Sequence, residues 1–229
     1  MNNIKYILWD IDRTLIDFNK AEALALKECF KKYGLCEFTD EMLEEYKVIN
    51  DKYWKMLERG EISKQEVLEG RFREFFTPYS IDLSIIPKFN KDYQMTMGDI
   101  ACFIDDGEEV VKYLKNKYKQ YAVTNGTALA QHKKLSKSGL DKMLDGMFIS
   151  EEMGYDKPSK EFFDIVFKTI GSDKKEEYLI VGDSLTSDML GGVNAGIKTC
   201  WFNPEYKTND KNLRIDFEIH NLKELLEII

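Results

Sequence analysis

The sequence predicts an α/β fold: a Rossmann-like core built on a parallel sheet, interrupted near its start by an inserted all-helical cap domain. Three observations predict it. Four short apolar runs of similar form recur along the chain, helical patterns separate the last three, and a long helical stretch follows the first. Continuous apolar runs this short suit strands buried on both faces, as in parallel sheets. Strands alternating with helices then indicate a doubly wound sheet.

In chain order, "YILWD" (6–10) opens the core. Residues 17–100 break the rhythm, because "NKAEALALKECFKKYG", "TDEMLEEYKVINDKYWKMLERG" and "SKQEVLEGRFREFF" all read as helices. Gly34 and Gly60 end the first two, and Ser63 with Glu66 forms a capping box at the head of the third. The chain thus divides into a core of 1–16 and 101–229 and a cap of 17–100, with hinges near Asp17 and Asp99. Alternation resumes near Gly107. "YAVTN" (121–125), "MFISEEM" (147–153), "YLIVGD" (178–183) and "KTCWFN" (198–203) read as strands. "LAQHKKLSKSGL", "KEFFDIVFKTIG" and residues 187–196 read as helices, and "FEIHNLKELLEII" as a closing strand and helix.

A length of 229 residues fits one large domain or a domain with an insert, at ~100–200 residues per domain. The 43% apolar and 13% aromatic content supplies a packed core. A net charge of −8 argues against a nucleic-acid polymer or an anionic membrane as partner, since both select basic surfaces. Cys29, Cys36, Cys102 and Cys200 form no metal-ligand spacing, so free thiols in a reducing cytoplasm are expected. No run approaches the ~18 apolar residues of a membrane span.

Ligands of open α/β sheets bind beyond the carboxyl ends of the strands. The first strand ends there in Asp10 and Asp12, the second in Thr124, Asn125 and Gly126. The "YLIVGD" strand ends in Asp183, with Asp188 soon after, and Lys157 precedes Pro158 at the head of a helix. A buried carboxylate is costly unless paired or metal-bound, and converging acids repel one another. Oxygen ligands without His or Cys favour Mg²⁺, which commonly shares a phosphate with its protein ligands. Thr124, the amides after it and Lys157 can hold the remaining phosphate oxygens. One carboxylate can then attack phosphorus while a second, two residues on, moves the proton of the leaving oxygen and later of water.

"DIDRTL" resembles the DxDx[TV] motif of the haloacid dehalogenase-like hydrolase superfamily. "VTNG", "KP" after an acidic segment, and "VGDSLTSDMLGG" resemble its other three motifs, in the same order. The likeness spans nearly the whole chain, and the helical insert looks like a C1-type cap. It implies Asp10 as nucleophile, Asp12 as acid/base, and Thr124, Asn125, Gly126 and Lys157 as phosphate binders. It also implies Mg²⁺ held by Asp10, Asp183 and the backbone carbonyl of Asp12, with Asp188 supporting either the metal or Lys157. "YKVINDKYW", "GRF", "ISEEMGYDKP" and "SDMLGGVNAGIKTCWFNP" are similar to the bacterial pyrimidine 5′-nucleotidase group. That implies a substrate such as dUMP, UMP or dTMP; a monomer or homodimer is expected.

In the cap, Asn50, Tyr53, Trp54 and Leu57 share a helical face, which serves either as core or as ligand contact. Asn50 is the candidate for a base edge, and Trp54 or Phe72 for stacking on the ring. Arg71 either meets substrate or makes a salt bridge inside the cap. His132 and His220 read as solvated. Arg13 stands where many relatives carry Gly, so an ordinary negative φ is expected there. Its guanidinium either faces the leaving group or pairs with an acid. The competing functions are a sugar-phosphate phosphatase or phosphomutase of the same superfamily, and a non-enzymatic phospho-acceptor. The last uses similar residues, but carries its aspartate on a middle strand of a shorter domain.

Overall fold

The computed structural model describes residues 3–229. Six parallel strands form one sheet: β1 (Tyr6–Trp9), β2 (Lys119–Thr124), β3 (Gly146–Ile149), β4 (Tyr178–Gly182), β5 (Lys198–Phe202) and β6 (Phe217–Ile219). Their spatial order is β3-β2-β1-β4-β5-β6, so β1 lies at the centre, where the order reverses. The continuous apolar runs have the physical reason expected of them. In β1, Ile7 and Trp9 face one hydrophobic cluster while Leu8 faces another. In β4, Leu179 and Val181 face the first cluster, and Tyr178 and Ile180 the second. Both faces are dry, which removes the polar alternation of half-exposed strands.

Four long helices follow β1: α1 (Phe18–Lys32), α2 (Asp40–Glu58), α3 (Lys64–Phe76) and α4 (Ile86–Asp99). They form the inserted helical cap and close on a hydrophobic cluster of their own, rich in aromatic rings such as Tyr46, Phe72, Phe75 and Phe89. Gly34 and Gly60, at φ 62° and 71°, lie just past the ends of α1 and α2. The capping box is present, with the Glu66 amide donating to Ser63 Oγ and the Ser63 amide to Glu66 Oε2. Three helices are expected here from the sequence, and α4 is a fourth. Its buried Phe89, Tyr93 and Met97 recur every four residues behind Pro87 in the first turn, a helix-start signal legible in the sequence.

The core helices are α5 (Gly107–Leu114), α6 (Ala128–Ser138), α7 (Leu140–Met143), α8 (Ser150–Met153), α9 (Lys160–Ile170), α10 (Leu190–Ala195) and α11 (Leu225–Ile228). "MFISEEM" divides: it is strand only to Ile149 and then turns into α8. The helix expected over 187–196 is also compound. Leu185–Met189 is π-helical and continues as α10, and such π segments often mark functional sites. His220, expected to be solvated, is half-buried: its Nδ1 lies 2.6 Å from the Asn203 carbonyl and its ring stacks on Tyr206. All four cysteines are free thiols. Among the described residues, no helix is long and apolar enough to cross a membrane.

Candidate active site

The carboxyl ends of β1, β2 and β4 and the N-terminal half of the cap enclose a cleft of about 550 Å³. Asp10 lies directly after β1 and is nearly buried. Its Oδ1 accepts from Lys157 Nζ at 2.8 Å and its Oδ2 from Thr14 Oγ1 at 3.0 Å. Lys157 is 1% exposed and also donates to Asp188 Oδ1 at 2.6 Å and the Val123 carbonyl at 2.7 Å. Its three donors are thus committed. Two hydrogen bonds join Asn125 to the Lys157 backbone: Lys157 N to Asn125 Oδ1 and Asn125 Nδ2 to Lys157 O, each 2.8 Å. They clamp the β2 loop to the loop that carries the ammonium.

The segment after β4 folds back on itself. Ser184 caps the π turn by accepting from the Ser187 amide, and that turn returns Asp188 beneath Gly182. The Ser184 amide donates to Asp188 Oδ2 at 3.1 Å. A Cβ on Gly182 would come within 2.3 Å of the Asp188 carboxylate, so only glycine fits there. Both Asp188 oxygens are therefore occupied by donors.

Asp10, Asp183 and Asp188 offer carboxylate oxygens within 4.8 Å of one another. Burial, then the Asp188 charge, push the Asp10 carboxyl up to about 7 against the pull of Lys157. Burial and the charges of Asp10 and Asp188 hold Asp183 well above the usual carboxylate range. Burial works against the Lys157 ammonium, but Asp10 and Asp188 outweigh it and its pKa lies above the usual lysine range. Three carboxylates against one ammonium leave two negative charges, which a divalent cation would balance. The donor set is all oxygen, with neither imidazole nor thiolate, and fits Mg²⁺.

Asp12 stands apart from this cluster. Its carboxylate accepts from Gln131 Nε2 at 2.6 Å and from Lys134 Nζ. Thr124 is buried, and its Oγ1 accepts from the Gly126 amide at 3.1 Å. Thr14, Gln131 and Lys134 escape sequence reasoning. Thr14 is legible inside "DIDRTL", whereas Gln131 and Lys134 sit in "QHKK", where their neighbours His132 and Lys133 are not buried.

Arg13 corrects an expectation. Its φ is +67°, in the left-handed region that glycine favours. The turn after β1 imposes it: the Arg13 amide bonds Ile16 O, and the Leu15 and Ile16 amides both bond Ile11 O. The side chain crosses to the cap, where Nη1 meets Asp51 Oδ1 at 3.1 Å and the guanidinium lies 5.0 Å from the Phe18 ring centroid. Because the strain belongs to the backbone and the ion pair to the side chain, two variants separate them. Arg13→Gly should be about 1 kcal/mol more stable than Arg13→Ala, which keeps the left-handed penalty. Thermal melts of the pair check this, and equal stability would contradict it.

The four cap candidates separate. Trp54 lines the cleft, and Asn50 reaches it while remaining 1% exposed. Arg71 and Phe72 do not line it. Phe72 is fully buried among Tyr46, Phe76, Phe89 and Tyr93, which corrects the expectation that it could stack on a substrate ring. Arg71 is also corrected as a substrate contact, since it donates to Asn50 Oδ1 at 2.7 Å and Asn90 Oδ1 at 3.2 Å inside the cap. Asn50 Oδ1 also accepts from Trp54 Nε1 at 3.1 Å, and Asn50 Nδ2 donates to Glu22 Oε1 at 3.1 Å. A helical stripe cannot tell which of its sides meets core and which meets solvent. Here the aromatic cluster claims one side and the cleft the other.

Burial pushes Glu22 from 4.5 up to about 7, against the pull of Arg13 and Arg71. The folded state therefore binds this proton more tightly than the unfolded chain. The stability it contributes is present below about 4.5 and is lost as pH rises through about 7. The loss is on the order of 3 kcal/mol. Glu22→Gln should flatten melting temperature against pH across that window, and an unchanged slope would contradict this assignment.

Fold and site together define a capped α/β hydrolase with an aspartate-rich centre. The chain belongs to the haloacid dehalogenase-like hydrolase family, whose model matches residues 7–202. YfnB of Bacillus subtilis is 35% identical over 229 residues, covering 100% of this chain and 97% of that one. A crystal structure of YfnB bound to magnesium, which reveals interdomain movement, matches with a TM-score of 0.92 at 36% identity over 98% of each chain. Pyrimidine 5′-nucleotidase PynA of Streptococcus pneumoniae is 33% identical, covering 98% of this chain and 94% of that one. Pyrimidine 5′-nucleotidase YjjG of Escherichia coli is 28% identical, covering 98% and 97%.

Proposed function

We propose that this hydrolase is a Mg²⁺-dependent phosphatase of small phosphate monoesters, nucleoside 5′-monophosphates foremost, working through an aspartyl-phosphate. The observation that carries the reading is Asp10, held between Lys157 and Thr14 with a second aspartate two residues on. Asp10, Asp183 and Asp188, with the backbone carbonyl of Asp12, would hold the cation. When bound, Mg²⁺ supplies positive charge against the phosphate oxygens.

An Asp10 oxygen attacks phosphorus, the new O–P bond forming as the bond to the leaving oxygen breaks. Asp12, which must enter this step as the carboxylic acid, gives its proton to that oxygen and becomes a carboxylate. Asp12 then takes a proton from water, whose oxygen attacks the phosphoryl group and returns Asp10 as a carboxylate. Thr124, the amides of Asn125 and Gly126, and the Lys157 ammonium cradle the phosphoryl oxygens. The charged Lys157 steadies the nucleophile and binds phosphate by exchanging one of its present acceptors for a phosphoryl oxygen.

The cap supports the substrate class. A cleft of about 550 Å³ accommodates a ligand of nucleotide size, within the ~300–1,000 Å³ of small-molecule sites. Trp54 and Asn50 both lie at its wall, the Asn50 amide bonded to Glu22, Trp54 and Arg71 of the cap. Relatives about as distant as 26% identity include a glyceraldehyde 3-phosphate phosphatase of Pyrococcus furiosus, so smaller phosphates are the comparison that matters. A panel of dUMP, UMP, dTMP, glyceraldehyde 3-phosphate and hexose phosphates, assayed with Mg²⁺ and with EDTA, tests the proposal. Pyrimidine monophosphates should have the highest kcat/KM, and EDTA should silence all turnover until Mg²⁺ is restored. Sugar phosphates turned over as well or better would overturn the substrate class, and turnover in EDTA would overturn the metal.

A further inference from the structure

We propose that Gln131 and Lys134 are positioning residues that aim the Asp12 carboxylate at the leaving oxygen, an inference that rests on the phosphatase reading above. The two lie three residues apart on α6, so one helix face presents both. Each is 1% exposed. Lys134 Nζ donates to Asp12 Oδ1 and Gln131 Nε2 to Asp12 Oδ2, so the carboxylate is held at both oxygens and cannot rotate freely.

Lys134 and Lys157 are the buried lysines among the described residues. Each is committed to one aspartate of the opening motif: Lys157 to Asp10, Lys134 to Asp12. Burying an ammonium is expensive unless it is paired, and for Lys134 the pair is Asp12. Two further contacts show that the arm is built in. The Gln131 amide passes over Gly126, where a Cβ would come within 2.2 Å of Nε2, so the phosphate-loop glycine leaves room for it. The Lys134 ammonium lies 5.8 Å from the ring centroid of Phe18, the first residue of the cap helix α1. The acid/base thus leans on α6 from the core side, while α4 of the cap packs on the same helix.

A positioned acid matters in proportion to how badly the leaving group needs a proton. A nucleoside 5′-oxygen departs poorly unless protonated, whereas dinitrophenolate leaves as the anion. The experiment compares wild type with Lys134→Met and Gln131→Met in single-turnover reactions with Mg²⁺. It measures alcohol released from a nucleoside monophosphate and phenol released from 2,4-dinitrophenyl phosphate, so that the later hydrolysis of the phosphoenzyme does not enter. For Lys134→Met, the nucleotide rate should fall ~100-fold or more, as for lost acid catalysis. The dinitrophenyl rate should fall less than ~10-fold, with substrate affinity nearly unchanged. Gln131→Met, which removes a neutral donor and leaves the ion pair, should show the same asymmetry at smaller size and serves if Lys134→Met does not fold. Lys134→Arg, which keeps a cation of similar reach, should recover part of the nucleotide rate.

Equal losses on the two substrates would reduce both residues to packing and overturn the proposal, as would no loss on either. A wild-type enzyme that cleaves neither ester would instead overturn the phosphatase reading itself, so the two failures are distinguishable.

Discussion

Asp10→Asn is expected to abolish turnover while leaving the protein folded and, without Mg²⁺, more heat-stable than wild type. The first half follows from the chemistry. An amide in place of the carboxylate is no nucleophile toward phosphorus, and losses on the order of 10⁴-fold or more accompany removal of a nucleophile. The second half follows from the electrostatics. Asp10, Asp183 and Asp188 crowd within 4.8 Å of one another, and burial has already pushed Asp10 up to about 7. Replacing one charge by an isosteric amide relieves repulsion, while an asparagine oxygen still accepts from Lys157 or Thr14. Activity and stability should therefore move in opposite directions, as at other sites that store strain for function. A variant that melts early would show that Asp10 is there for folding. A variant that turns over would remove it from the chemistry.

Lys157→Met should damage both properties at once. The ammonium is 1% exposed and bonds Asp10 and Asp188 together. Its removal leaves two buried carboxylates facing each other, and breaking buried pairs in this way costs about 3–5 kcal/mol. Taking the lower figure, the melting temperature should drop by roughly 6–12 °C in a chain of this size. Adding Asp188→Asn to Lys157→Met should then restore stability, because the second change removes one of the uncompensated charges. The double variant would be clearly more stable than the sum of the single losses predicts. Catalysis should not return with stability, since the phosphate would still lack its cation. Additive losses would mean that Lys157 and Asp188 do not act as a pair.

The contrast between Asp10 and Lys157 also explains how much of the molecule can be read from its sequence. Strands are legible where burial is two-sided, because "YILW" and "YLIV" carry no polar interruption. The aspartates that follow are legible because an acid ending such a run needs a partner. Lys157 is legible through its place beside Pro158, in order with the other motifs. What resists reading is any assignment that depends on where a side chain ends. Lys133, Lys134 and Lys137 look alike in the sequence, yet only Lys134 is buried, and against Asp12. Asn50, Trp54, Arg71 and Phe72 look equally suited to a ligand, but packing among the cap helices turns two of them inward. Arg13 misleads for a different reason. Residue type gives a preference for backbone shape, and the hydrogen bonds of the turn override it.

In the proposed reaction the phosphoryl group passes through Asp10. Asp12→Asn enzyme, mixed with Mg²⁺ and 2,4-dinitrophenyl phosphate and quenched in acid, tests it most directly. That substrate needs no proton for its leaving group, and without Asp12 water is not activated, so the covalent intermediate should accumulate. Peptide mapping by mass spectrometry is expected to find the phosphoryl group on the peptide carrying Asp10, and to lose it when Asp10→Asn is added. Dinitrophenolate released with no phosphorylated peptide, or with the phosphoryl group on another residue, would contradict the mechanism.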